Sequence, residues 1–404
     1  MRSYVKSVIF LAIVLLGGFY VWHSGYFYLT DKFPLLEVSG IEPDKGINED
    51  LRIFIKGADS HKISTLQVNI DDEPVVKSLA IGRKSFTHDL VVPIKDLKQG
   101  MRILTVVIES AGQEWKEKTV EVPFFVDKLP LQAALTKNEL DAQVYQGHTL
   151  HIEFQANKEI KNAVVKTLAA SYPCLLKSNR GYIYECFIPI ECEEIPQEYS
   201  YMVNIADWVG ATMILEGKFK VVSFPFKKQT IRVDKEKIEK ENKLGLPEKQ
   251  LEEEIIQLTK NSPAKKLWQG KFIVPLELTD KNQVTSDFGV IRVTQERGLK
   301  QHKALDLVAY PKSVVWAPQD GVVVLKDRYA HSGNTVAIDH GYGLLSLFFH
   351  LDSFADIAVG DSIKKGQPVG TVGKTGYATG YHLHWEMRVN TIPVDPFEWT
   401  KENF

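Results

Sequence analysis

Six of the eleven histidines fall between His302 and His384, and no cysteine accompanies them. Four of them sit in three short pieces: His302-Lys-Ala-Leu-Asp306, Phe348-Phe-His350-Leu, and Gly380-Tyr-His382-Leu-His384-Trp-Glu386. Imidazole and carboxylate together are the donor set of a hydrolytic metal site, where a catalytic zinc keeps about three protein ligands and leaves a position open. Taken singly, each piece is ordinary, because a lone HxxxD or a histidine among phenylalanines is usually a satisfied structural residue. In an extended strand, alternation puts His382, His384 and Glu386 on one face and Leu383, Trp385 and Met387 on the other. Two imidazoles with Cα atoms about 6.6 Å apart can then share one centre. His302 and Asp306 need a different shape, since full extension would separate their Cα atoms by about 13 Å. The chain is therefore expected to bend there, with His302 at a loop end and Asp306 opening a strand whose Leu305 and Leu307 enter the core. His302, Asp306, His350, His382 and His384 exceed the ligands one metal needs, and spacing leaves open which bind and which move protons.

The three pieces in this order resemble the lysostaphin-type zinc endopeptidases that cut peptidoglycan stem peptides or cross-bridges. So does their frame, GNTVAIDHGYGLLSLFFHL from Gly333 and GQPVGTVGKTGYATGYHLHWE from Gly366, with VWAPQDGVV from Val315 and VDPFEW from Val394. The similarity runs from about Lys266 to Trp399. The resemblance implies a small antiparallel β fold with a narrow cleft and a Zn2+ cofactor. It also implies His302, Asp306 and His384 as ligands, and His350 and His382 as the catalytic pair. Glu386 is read as the acceptor for a ligand imidazole's second N–H. The chain departs from the family at Ala304, where glycine is frequent. It also lacks a tyrosine between Gln295 and Gln301, and has Phe348 where a tyrosine is common. The group that steadies a developing oxyanion is therefore not read from the motifs.

The elements that must carry this site are organised along 404 residues, enough for two or three domains, with 44% hydrophobic and 25% charged residues. A net charge of -2 gives no basic excess for nucleic acid. Cys174, Cys186 and Cys192 lie in one short stretch, so a disulfide framework is excluded and one local bridge is allowed. Ser7 to Leu29 carries no Asp, Glu, Lys or Arg, and 23 residues reach about 34 Å at a 1.5 Å rise, enough to cross a bilayer. With Arg2 and Lys6 ahead of it and bulky residues Phe19 to Trp22 where a cleavage site needs small ones, it reads as a retained signal anchor after a short tail at 1–6. A cleaved signal peptide is the competing reading. The expected location is then the cytoplasmic membrane, single-pass, with the bulk of the chain in the periplasm or extracellular space.

From Phe33 to Phe226 short alternating runs dominate, among them LRIFIKG from Leu51, RILTVVI from Arg102, TLHIEF from Thr149 and YSYMVNI from Tyr199. VVIESAG from Val106 and VNIADWVG from Val203 look alike about a hundred residues apart. The reading is mainly β: two tandem immunoglobulin-like sandwiches at 33–126 and 127–226, a single irregular β domain being the alternative. Residues 227–254 hold 8 Lys/Arg and 8 Asp/Glu. With Pro247 ahead of Leu251, Ile255, Ile256 and Leu258, the segment 227–266 reads as a charged helical connector that either faces solvent or docks on the last domain. Residues 267–404 are the expected metallopeptidase domain. The expected partners are peptidoglycan peptides, the membrane through 7–29, and an envelope protein through the sandwiches. The contrasting reading is a non-catalytic scaffold or activator that binds the wall and regulates other hydrolases.

Overall fold

The structure, a computed structural model, describes residues 34–42, 44–111, 116–136, 142–230, 249–278, 283–294 and 298–404. The proposed anchor at 7–29 lies outside them, and among the described residues no helix is long and apolar enough to cross a membrane. Two compact units are present, 1–128 and 129–404.

In the first unit the strand Leu51–Ile70 pairs along its whole length with Glu73–Val92, at its start with Leu35–Ser39, and at its end with Gly100–Ser110. Its buried side chains are Leu51, Ile53, Ile55 and Ile63, then Leu66, Val68 and Ile70. The switch from odd to even positions coincides with a register shift between Ile63 and Thr65, the change of phase that one extra residue in a strand imposes.

The β domain that opens the second unit repeats the same edge pattern. Its first strand, Ala133–Leu135, pairs antiparallel with Thr149–Ala156, and Ala142–Tyr145 pairs parallel with the last strand, Thr212–Val222. In the first unit Leu35–Ser39 and Gly46–Ile47 stand in those two relations to Leu51–Ile70 and Lys116–Val126. The look-alike segments at Val106 and Val203 both end the penultimate strand of their domain. Each is followed by the turn into the last strand of its sheet, Lys116–Val126 and Thr212–Val222.

The remainder is built on an antiparallel sheet in the spatial order Val284–Ser286, Leu305–Leu307, Leu383–Val389, Leu344–Leu351, Gly333–Asp339, Gly321–Tyr329, Ser362–Ile363, with Ile392–Val394 on the third strand. Leu344–Leu351 is buried at every position. One face packs Leu344, Phe348 and Leu351 with Trp385 and Met387. On the other face Leu345, Leu347 and Phe349 pack with Leu251 and Ile255 of a helix over 249–260. A strand covered on both faces has no solvent side to alternate toward, which accounts for the continuous apolar run LLSLFFHL. Of the charged connector, then, residues 249–260 are helical and docked, while Lys228–Thr230 is a short strand parallel to Val290–Thr294. Residues 231–248 are outside the described set.

The second β domain and the C-terminal domain share a core. Phe187 packs among Trp268, Tyr342, Trp399 and Phe404, with ring centroids 5.7–6.2 Å apart. Polar bonds tie the same seam: Asp395 N–H donates to the Gly147 carbonyl (2.7 Å), Thr149 N–H to Glu398 Oε2 (2.9 Å), and Tyr342 O–H to the Leu176 carbonyl (2.9 Å). Gly147 has φ 78°, and a Cβ there would lie 2.6 Å from the Phe288 ring, so only glycine lets this turn approach.

Two outcomes follow from this packing. Phe187→Ala removes a shared aromatic and is expected to cost about 3–5 kcal/mol, read as a lowered midpoint of one cooperative transition for residues 129–404 in denaturant. His340 is fully buried, donating from Nδ1 to the Asp320 carbonyl and accepting at Nε2 from Ser346 Oγ, both at 2.8 Å. Burial pushes its imidazole down to about 4. The unfolded chain binds that proton near the ordinary value of about 6.5, so the contribution is complete above that pH and is lost as pH falls through about 4. It amounts to on the order of 3 kcal/mol. Denaturant midpoints measured across that window should fall with acid, and the slope should flatten in His340→Asn.

Candidate metal centre

Cross-strand register assembles the centre. Asp306 lies directly opposite His384 and opposite Ser286, and Phe349 lies opposite His384 on the other side. Facing residues on adjacent strands project to the same side, so one row across four strands carries Ser286, Asp306, His384 and Phe349. His302 ends the strand Gly298–His302, and the chain bends through buried Ala304 before Leu305–Leu307 begins. The bend brings His302 Nε2 to 3.2 Å from Asp306 Oδ1, while Leu305 and Leu307 enter the core as alternation requires. Ala304 is not among the residues at positive φ, so the departure from glycine carries no backbone strain.

His302 Nε2, Asp306 Oδ1 and His384 Nδ1 converge. The separations are 3.3 Å between the nitrogens, 2.9 Å from His384 Nδ1 to Asp306, and 3.2 Å from His302 Nε2 to Asp306. His302, Asp306 and His384 form a group able to hold a metal ion. Three ligand atoms of imidazole and carboxylate on one small space fit zinc in its open, three-ligand arrangement. The remaining atoms of those residues are all occupied. His302 Nδ1 meets Ser286 Oγ at 3.2 Å, His384 Nε2 meets Glu386 Oε1 at 3.2 Å, and Asp306 Oδ2 accepts from Arg292 at 3.1 Å. Each ring thus has one nitrogen fixed on an acceptor and the other turned inward, the outer support that orients metal-binding histidines.

His350 and His382 stand beside this group, their ring centroids 4.8 Å apart. His382 Nε2 is 3.8 Å from Asp306 Oδ1. His350 donates from Nδ1 to the Thr375 carbonyl (2.9 Å) and His382 from Nδ1 to the Gly380 carbonyl (3.0 Å). A carbonyl only accepts, so each Nδ1 carries the proton and each Nε2 of the neutral ring keeps its lone pair. His350 reaches the site by a local irregularity. Its φ is 62°, and the pairing with Gly333–Asp339 shifts by one residue there. The extra residue keeps Phe349 and His350 both out of the cluster that holds Phe348 and Leu351, Phe349 packing instead with Leu345 and Leu347 on the other face. Gly373 makes room for this, since a Cβ on it would lie 2.2 Å from Asp352 N.

Burial alone would raise Asp306, but its bonds to His302 and His384 hold it well below the usual carboxylate range. Burial alone would lower His384, and Asp306 with Glu386 instead raises it to about 9. Burial, then the neighbouring His384 and His382, pushes His350 down to about 3, leaving it neutral at pH 7. Burial likewise lowers His302.

All five residues singled out from sequence are brought together, and Glu386 with them. Reading by sequence missed Ser286 and Arg292, which carry no motif, and Phe349, which lies in the second piece but was not singled out. Arg388 was within reach, because the alternation through His384 and Glu386 continues to it.

Residues 300–396 match the sequence profile of peptidase family M23. Peptidoglycan DD-endopeptidase ShyC of Vibrio cholerae is 36% identical over 118 residues, 29% of this chain and 27% of that protein. DD-carboxypeptidase/endopeptidase Mpg of Neisseria meningitidis is 37% identical over 124 residues, 31% of this chain and 28% of that protein. The chain therefore spans little more than a quarter of the length of these curated relatives. Among solved structures, the antimicrobial peptidase lysostaphin of Staphylococcus simulans is 29% identical, covering 25% of this chain and 44% of that one at a TM-score of 0.24. With its polar cluster on this sheet, the segment 300–396 of the chain is a peptidase family M23 domain.

Proposed function

We propose that the chain is a zinc-dependent endopeptidase that hydrolyses peptide bonds in peptidoglycan stem peptides or cross-links. The observation that carries the reading is the convergence of His302 Nε2, Asp306 Oδ1 and His384 Nδ1 within 3.3 Å of one another, with the imidazoles of His350 and His382 alongside. The relatives named above as peptidoglycan DD-endopeptidase and DD-carboxypeptidase/endopeptidase support the substrate class. Their matched region is this domain alone, so the activity of the full chain rests on the proposal.

His302, Asp306 and His384 would hold the metal. Zinc bound there supplies Lewis acidity toward water and toward the scissile carbonyl. His350 and His382 supply proton transfer. The Nε2 of one of them, left with its lone pair by the bond from Nδ1–H to a backbone carbonyl, takes the proton of the attacking water and hands that same proton to the departing amine. Arg292, donating to the outer oxygen of Asp306, keeps the inner oxygen turned to the histidines. By the same proposal the segment 7–29 tethers the enzyme to the cytoplasmic membrane with its domains on the outer side, where the wall polymer lies.

Removing metal with a chelator should abolish release of peptides from defined peptidoglycan, followed by mass analysis, and added zinc should restore it. Digestion undiminished by the chelator sinks the metal-dependent reading, whereas a metal-free protein that binds sacculi and releases no peptides favours the scaffold. Asp306→Ala is expected to lose bound zinc and activity together, whereas His382→Ala should retain zinc and lose roughly 100-fold or more in kcat. Zinc loss in His382→Ala would reverse the division of roles. Ser286→Ala leaves His302 Nδ1 without its acceptor and should weaken zinc binding about tenfold, measured against a chromophoric chelator.

A further inference from the structure

The helix over 249–260 lies outside the residues that match the family, yet two independent contacts lead from it to one imidazole. On the polar side, Glu252 accepts a two-pronged bond from Arg388, Nη1 to Oε2 at 2.7 Å and Nη2 to Oε1 at 2.8 Å. Arg388 is buried, and its Nε donates to Glu386 Oε2 at 2.8 Å. Glu386 Oε1 in turn meets His384 Nε2 at 3.2 Å. On the apolar side, Leu251 and Ile255 pack in one cluster with Leu345, Leu347 and Phe349. The Phe349 ring stacks on His384, with planes 7° apart and centroids 5.1 Å apart.

We propose that helix 249–260 is a positioning element of the metal centre, holding the His384 ring through Glu252 on its polar side and through Phe349 on its apolar side. The inference rests on the metal-dependent reading above and adds to it a residue and a segment. A guanidinium fork held at both ends by carboxylates has one orientation, so Glu386 is fixed against His384 only while Glu252 is in place. Glu252 is half-exposed and contributes little as a surface ion pair. Its consequence lies in the order it imposes on buried neighbours. Docking of the connector thereby becomes a way to set metal affinity from outside the cleft.

The test uses the full chain with Glu252→Gln, which keeps shape and removes the charge, and separately Ile255→Ala, which loosens the helix from its apolar side. Zinc is titrated in competition with a chromophoric chelator at neutral pH, with thermal melting of each protein as the check on folding. Both variants are expected to bind zinc roughly tenfold or more weakly than the parent and to recover kcat at saturating zinc. Glu253→Gln, the exposed neighbour, should match the parent. A folded Glu252→Gln protein whose zinc affinity stays within twofold of the parent overturns the inference, as does unfolding of both variants, which would make the helix a cover and nothing more. A parent that holds no zinc defeats the underlying reading itself, an outcome separate from parent and variant binding alike.

Discussion

Asp306 is a carboxylate taken almost wholly out of water and surrounded by nitrogen. Burying an ionised group is costly unless every lone pair finds a partner, and here the partners are His302 and His384 on one oxygen and Arg292 on the other. Those partners are themselves constrained by Ser286 and by Glu386, and Glu386 by Arg388. The centre is a closed network in which each polar atom fixes the next. Its positive and negative groups are matched closely enough that a divalent cation can replace the protons the histidines share with the carboxylate.

The β-sheet provides the precision such a network needs. Strand register sets Asp306 against His384 and Ser286 without any loop in between, so the distances depend on hydrogen-bonded ladders rather than on flexible segments. One irregularity breaks the ladder at His350, whose left-handed backbone and one-residue shift turn an otherwise core-directed position toward His382 and His384. Strain at that residue is held by the bond from its N–H to the Ser332 carbonyl (2.8 Å) and by the Thr375 carbonyl on its ring.

The surroundings of the sheet are not passive. The β domain starting at Leu129 places Phe187 inside the aromatic core of the C-terminal domain, so these two parts form a single packed body rather than beads on a string. A helix drawn from the charged connector covers the far side of Leu344–Leu351. The mixed-sign run that reads as a solvated face therefore contains residues with specific partners. Glu252 meets Arg388, and Glu254 accepts from Tyr329 O–H. Charge patterning along a helix records which face is polar but not what that face meets.

The residue types and their order were enough to single out His302, Asp306, His350, His382 and His384 and to read strands around them, because a two-residue side-chain period and a donor set are local properties. Local, too, is the likeness of the segments at Val106 and Val203, each of which ends a strand paired with the next. Which imidazole nitrogen faces inward, why His350 escapes the core, and how Ser286, Arg292 and Glu252 support the centre were decided only in three dimensions. Those features arise between strands and segments far apart in the chain, from register, from the space a neighbouring backbone leaves and from the pairing of buried charge. No spacing along a single chain can specify these relations.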